Sequence, residues 1–174
     1  MDKKIDIRQL NLEELTSKLT DLGEKPFRAK QIHEWLWKKR ATSFDQMTNL
    51  SLSLRKTIED NFIINAIQLT EAQKSNDKTI KNAFLLADSS VVEGVLIPTK
   101  KRMTACVSVQ VGCSLDCAFC ATGKLKRVRN LNPDEIYDQV VMISQQSKNE
   151  YDIPLSNIVF MGMGEPLLNI NEVL

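Results

Sequence analysis

Residues 106–123, CVSVQVGCSLDCAFCATG, decide how the chain is read, because they hold all four of its cysteines. The stretch enters on a strand. From Met103 to Val111 the residues alternate, putting Thr104, Cys106, Ser108 and Gln110 on one face and Ala105, Val107 and Val109 on the other. Gly112 permits a sharp turn, and Cys113, Cys117 and Cys120 follow on a loop as C-x3-C-x2-C. Three thiolates aimed at one point from a tight loop suit an iron–sulfur cluster that keeps one iron open for another ligand. Cys106 stands apart on the strand. A four-cysteine zinc site is the competing reading. Against it, six residues, mostly strand, separate Cys106 from Cys113, whereas zinc knuckles are short.

On the C-terminal side, LNPDEIYDQVVMISQQS (131–147) predicts a helix. Asn132 caps it, Pro133 fits the first helical position, and Asp134 and Glu135 favour the positive end of its dipole. LSNIVFMGMGEP (155–166) reads as an apolar strand ending in glycines, and LNINEVL begins another helix. Strand, loop, helix, strand, loop, helix is the opening of a parallel α/β sheet or barrel. Two parallel strands neither close a barrel nor cover a sheet on both faces. The last helix also has no stop signal, so the 174 residues are expected to be the front part of a longer protein.

On the N-terminal side, AIQLTEAQ, TIKNAFLLA and SVVEGVLIP are β-rich and separated by turn compositions, which predicts antiparallel hairpins over 66–102. Residues 1–65 read as a small all-helical domain. NLEELTSKLTDLG has Asn11 as cap and Gly23 as stop. KPFRAKQIHEWLWKKR presents Phe27, Ile32, Trp35 and Leu36 on one face. SLSLRKTIEDNF is capped by Ser51 or Ser53. The expected domains are therefore 1–65, 66–102 and 103–174. His33, the single histidine, reads as a helix-surface or packing residue, and Trp35 as core.

No apolar run approaches the ~20 residues of a membrane span, and MDKKIDIRQL has no signal-peptide core. The expectation is a cytoplasmic protein with no membrane partner, where clustered cysteines serve metal or catalysis rather than a disulfide framework. Between Thr99 and Asn130 seven basic residues (Lys100, Lys101, Arg102, Lys124, Lys126, Arg127, Arg129) face one acid, Asp116, in a chain of net charge +1. This bracket of cations around the cysteines suits an anionic cofactor or a phosphate backbone, or else is a pair of solvated turns.

CSLDCAFC, with an aromatic before its last cysteine, resembles the signature of radical S-adenosylmethionine (SAM) enzymes, and MGMGEP resembles their glycine-rich SAM motif. With KPFRAKQIHEWLW, VVEGVLIP and FMGMGEPLLN, the chain is similar to the RlmN-type adenosine-C2 RNA methyltransferases and their C8-methylating relatives of the Cfr type. The resemblance implies an α/β fold: the start of a radical-SAM partial (β/α) barrel behind the helical domain and hairpins. It implies a [4Fe-4S] cluster on Cys113, Cys117 and Cys120, with SAM met by Gly164 and Glu165. It implies 23S rRNA and tRNA as substrates, a monomer, and an electron donor such as flavodoxin.

C2 of adenine is an electron-poor carbon, so direct attack on a SAM methyl is unfavourable. The resemblance implies that a carrier cysteine, expected beyond residue 174, first takes a methyl and then joins the ring through it. Cys106 matches the thiol that resolves this adduct by forming a disulfide with the carrier. Glu93 matches the proton acceptor. It shares a strand face with Val91, Val95 and Ile97, an apolar surround in which a carboxylate is expected to hold its proton more tightly; the residues by themselves favour instead an edge-strand glutamate in solvent. The 174 residues alone are expected to be inactive, lacking the carrier. Outside this class, the alternative is a non-catalytic, zinc-stabilised RNA-binding module.

Overall fold

The computed structural model describes residues 4–100 and 102–173, and the chain divides into two units between Asn65 and Ala66. In the first, helix α1 (Leu12–Asp21) starts where Asn11 accepts the N–H groups of Glu13 and Glu14, while the Glu14 carboxylate returns to the Asn11 N–H at 2.9 Å. It stops at Gly23, whose φ of +82° lets the chain reverse. Helices α2 (Phe27–Trp37) and α3 (Leu52–Asn61) follow, the latter capped by the Ser51 hydroxyl at 3.2 Å from the Leu54 nitrogen. Leu15, Leu19, Ile32, Leu36, Leu54 and Ile58 form the core, each contributing about 1.5–3 kcal/mol by burial.

Two expectations for this unit need correction. It is not purely helical, because β1 (Ile5–Asp6) pairs in parallel with β2 (Phe62–Ile63). Phe27 is about half exposed, and Ala29 takes the buried place on α2. Trp35 packs partly buried against the core, with Lys39 4.0 Å above its ring. His33 lies beside Trp37, ring centroids 6.2 Å apart, as a helix-surface residue.

The second unit is built on a five-stranded mixed sheet. Strands β3 (Gln68–Lys74), β4 (Ile80–Leu85), β5 (Val91–Pro98) and β6 (Met103–Cys106) pair antiparallel in sequence order. Two short strands, β7 (Gln110–Val111) and β8 (Arg129–Asn130), form a separate antiparallel ribbon. Helix α4 (Pro133–Tyr151) then crosses the sheet and returns the chain to β9 (Asn157–Val159), which lies parallel to β6. A short helix α5 (Ile170–Val173) follows. The fold is therefore mixed α/β, with the hairpin strands and the first parallel pair in one sheet.

Helix α4 covers one sheet face, where Phe84, Val92, Leu96, Ala105, Ile136 and Ile143 pack together. It is keyed to the sheet by a reciprocal amide pair, Asn82 with Gln146, at 2.9 Å in both directions. Because Asn82 is 1% exposed, removing the Gln146 amide would leave a buried polar group unpaired. No helix among the described residues is long and apolar enough to cross a membrane.

The expected strand through Met103–Val111 ends early, at Cys106. Val107 still donates to the Val159 carbonyl at 3.0 Å, but Ser108 turns to helix α4. The Gln139 side chain accepts the Ser108 N–H at 2.9 Å and donates to the Ser108 carbonyl at 3.1 Å. Ser108 and Gln110 are fully buried rather than on an outer polar face.

Candidate active site

The cysteine loop is stapled at its base. Ribbon β7–β8 sets Gln110 opposite Asn130 and Val111 opposite Arg129, and the Val128 N–H reaches the Val111 carbonyl at 2.8 Å. Gly112 makes the turn at φ +73°. A Cβ there would lie 2.2 Å from the Lys126 carbonyl oxygen, so the return strand runs against bare backbone.

Arg129 fixes this base to the rest of the unit. It forms a fork with the Glu135 carboxylate at 2.7 and 2.8 Å and a further pair with Asp88 at 2.7 Å. The Arg129 hydrogen bond lowers the Asp88 carboxyl to about 2, and Glu135, with Asp88, raises the guanidinium. Arg129 is thus a structural rivet rather than part of a free cationic patch. Lys124, Lys126 and Arg127 are exposed, as are Lys100 and Arg102. Lys101 lies outside the described residues.

Within the loop, Cys113, Cys117 and Cys120 are free and half-buried. The Leu115 N–H lies 3.4 Å from the Cys113 sulfur. The backbone N–H groups of Gly123 and then Thr122 draw the Cys120 thiol below its ordinary range. Among the described residues no three Cys, His, Asp or Glu side chains are gathered closely enough to hold one ion. The donor set nonetheless fits an iron–sulfur cluster in kind: three unpaired thiols on one loop, with backbone N–H groups turned to sulfur. Phe119 is almost fully exposed beside them.

The glycine-rich loop is bound directly to the segment between Cys106 and Cys113. Gly162 donates to the Val107 carbonyl at 3.1 Å, and Val109 donates to the Met163 carbonyl at 2.9 Å. The Ser108 hydroxyl accepts the Met163 N–H at 2.8 Å, and the Gln110 side chain accepts the Glu165 N–H at 3.0 Å. Gly164, at φ +95°, sits so close that a Cβ would lie 2.5 Å from the Gln110 Cβ. The Glu165 carboxylate caps the next turn by accepting the Leu167 N–H at 3.0 Å. Met163 is buried in the core and Met161 is exposed.

Register brings the remaining two candidates together. Val95 on β5 lies opposite Cys106 on β6, so Glu93, two residues along β5, is on the same face as Cys106 and diagonal to it. This face is opposite the one α4 covers. The Ser108 hydroxyl donates to the Glu93 carbonyl at 2.5 Å, tying the two strands where they diverge. Cys106 is 8% exposed; burial pushes its thiol up, and the Met161 N–H pulls weakly the other way.

The expected apolar surround of Glu93 is absent. The inward side chains of β5 are Val92 and Leu96, whereas Glu93 faces outward and forms an ion pair with Lys81 at 2.6 Å, both about half exposed. The sequence analysis assigned no part to Lys81 or Gln139, and placed Ser108 and Gln110 on a polar strand face without their partners. Alternation marks Lys81, Ser108 and Gln110 as polar residues within β patterns, whereas Gln139 carries no local signal.

Residues 5–64 match the family described as "Ribosomal RNA large subunit methyltransferase N-terminal domain". Over 173 residues the chain is 61% identical to the "Probable dual-specificity RNA methyltransferase RlmN" of Christiangramia forsetii, covering 99% of this chain and 49% of the relative. It is 43% identical over 174 residues to the "Dual-specificity RNA methyltransferase RlmN" of Geobacter sulfurreducens, covering 100% and 47%. The chain belongs to the RlmN family.

A crystal structure of a radical SAM methyltransferase from Sphaerobacter thermophilus superposes with a TM-score of 0.82 at 36% identity, over 97% of this chain and 50% of that one. The chain thus spans about half the length of the RlmN relatives it matches. Matches near full coverage of this chain include the front unit and the sheet, cysteine loop and glycine-rich loop of the second.

Proposed function

We propose that this chain carries the cofactor-binding loop and part of the catalytic machinery of an RNA methyltransferase that modifies C2 of adenosine in 23S rRNA and in tRNA. The observation that carries the reading is the adjacency of three elements: the cysteine loop, the glycine-rich loop bound to its entry strand, and a buried thiol sharing a sheet face with a carboxylate. On this reading the second unit is the opening of a radical-SAM partial barrel, the front unit grips RNA, and the protein works as a cytoplasmic monomer. A flavodoxin-like donor supplies electrons.

Cys113, Cys117 and Cys120 would hold a [4Fe-4S] cluster, and Gly164 and Glu165 would meet the amino end of SAM. Bound there, the cluster and SAM supply the one-electron chemistry that methylation of an electron-poor ring carbon requires. The chain's own residues finish the reaction. Glu93 accepts the ring proton of the covalent protein–RNA adduct. The Cys106 sulfur then bonds to the carrier sulfur, the carrier's carbon–sulfur bond breaks, and the carbon leaves with that electron pair and takes up a proton as the new methyl. Burial keeps Cys106 protonated and shielded from stray oxidants until the adduct is in place.

Anaerobic reconstitution with iron and sulfide, followed by RNA digestion, tests the reading. A brown protein and C2-methyladenosine, from this chain continued by the unmatched part of the C. forsetii relative, are the expected result. A colourless protein that takes up only zinc overturns it in favour of a zinc-stabilised RNA-binding module, and C8-methyladenosine overturns the regiochemistry.

A further inference from the structure

We infer that Lys81 is a positioning residue for Glu93, holding its carboxylate over the sheet face that carries Cys106; this rests on the reading of Glu93 as proton acceptor. The register places them. On β4–β5, Ala83 lies opposite Glu93 and Lys81 opposite Val95, and Val95 lies opposite Cys106 on β6. Lys81, Val95 and Cys106 therefore form a row across three strands, and Glu93 lies beside Val95 on the same face. Lys81 reaches diagonally to Glu93, Nζ to Oε1 at 2.6 Å. Without that link a glutamate on an outward face would sweep its rotamers through solvent.

The charged and titratable neighbours on this face are few. Glu71 on β3 lies opposite Ala83 in register, beyond Lys81 from Cys106, and is engaged by the Gln73 amide at 2.6 Å. Glu71, Gln73, Lys81, Ala83 and Glu93 line a shallow cleft of about 60 Å³ there. Lys81 is thus the cation against Glu93, and its reach selects one side of the carboxylate's swing.

The test uses the active enzyme described above, with Lys81→Met, Lys81→Arg and Glu93→Gln variants. Lys81→Met is expected to lower kcat roughly 10- to 100-fold with KM within about twofold, because the proton acceptor is mispositioned rather than the RNA lost. Unresolved protein–RNA adduct should accumulate on denaturing gels. Lys81→Arg, which keeps charge and reach, should restore most of kcat. Thermal melts should be unchanged across the set, since the pair is half exposed. Unchanged kcat and adduct levels in Lys81→Met, with Glu93→Gln blocked at the adduct, overturn the role of Lys81 alone. Normal adduct resolution in Glu93→Gln overturns the reading of Glu93, and the role of Lys81 with it.

Discussion

Cys106 and Cys120 are the same side chain fourteen positions apart, held in opposite states. Cys106 ends a strand, is 8% exposed and is pushed up by burial. Cys120 sits on the loop just before a short 3-10 turn (Ala121–Lys124) and is drawn down by the backbone N–H groups of Gly123 and Thr122 within it. On the proposed function these two environments suit the two parts, a thiol waiting for one reaction partner and a thiol offered as a ligand. Both come from the same short segment, because the strand stops at Cys106 and the loop is closed again at Val128. The lesson is that where a strand ends can decide the chemistry of a cysteine more than the residues beside it.

The largest expected effect isolates the loop side of this contrast. Cys117→Ala should abolish the brown charge-transfer absorption of the reconstituted protein, whereas Cys106→Ala should keep it. Equal loss in both would mean that all four thiols act as one ligand set. Next, Gly164→Ala should cost roughly 3 kcal/mol by forcing a side chain into Gln110 at positive φ. Denaturant unfolding would measure it. If the loop above Cys106 loosens as expected, the same variant also exposes Cys106.

A third measurement compares the thiols directly. With iodoacetamide at neutral pH, peptide mapping should find Cys106 modified at least about tenfold more slowly than Cys120, since it is buried with its thiol pushed up while that of Cys120 is drawn down. Equal rates would erase the distinction. The smallest effect concerns the rivet at the loop base. The Asp88 carboxyl lies at about 2 in the folded chain against 3.8 ordinarily, so its stabilising contribution is present above pH 3.8 and fades as pH falls toward 2. Asp88→Asn should melt slightly lower at pH 6, by less than about 1 kcal/mol because the pair is partly solvent-screened, and the gap should close in acid.

Local signals were legible from the sequence. Asn11, Ser51 and the Asn132–Pro133 step mark helix starts by chemistry within one turn, and the three loop cysteines declare themselves by spacing. What the sequence hid was mostly partnership across distance. Glu93 looked apolar in its setting because alternation shows which residues share a face but not whether that face is covered. Its partner Lys81 lies on another strand, joined only by register. Arg129 counted as patch charge until Asp88 and Glu135 were brought to it. The interruption after Cys106 depends on Gln139, thirty-one residues beyond Ser108, which no reading of the strand alone could supply.

That glutamine clip carries one more consequence. Ser108 lies outside any regular strand, yet its N–H and carbonyl are both held by a fully buried side chain of α4, which also donates to the Glu135 carbonyl. Hydrogen exchange at Ser108 therefore requires the helix to lift, not a loop to fray. The segment joining the buried thiol to the cysteine loop breathes on the clock of α4, the slow clock of the sheet's own core.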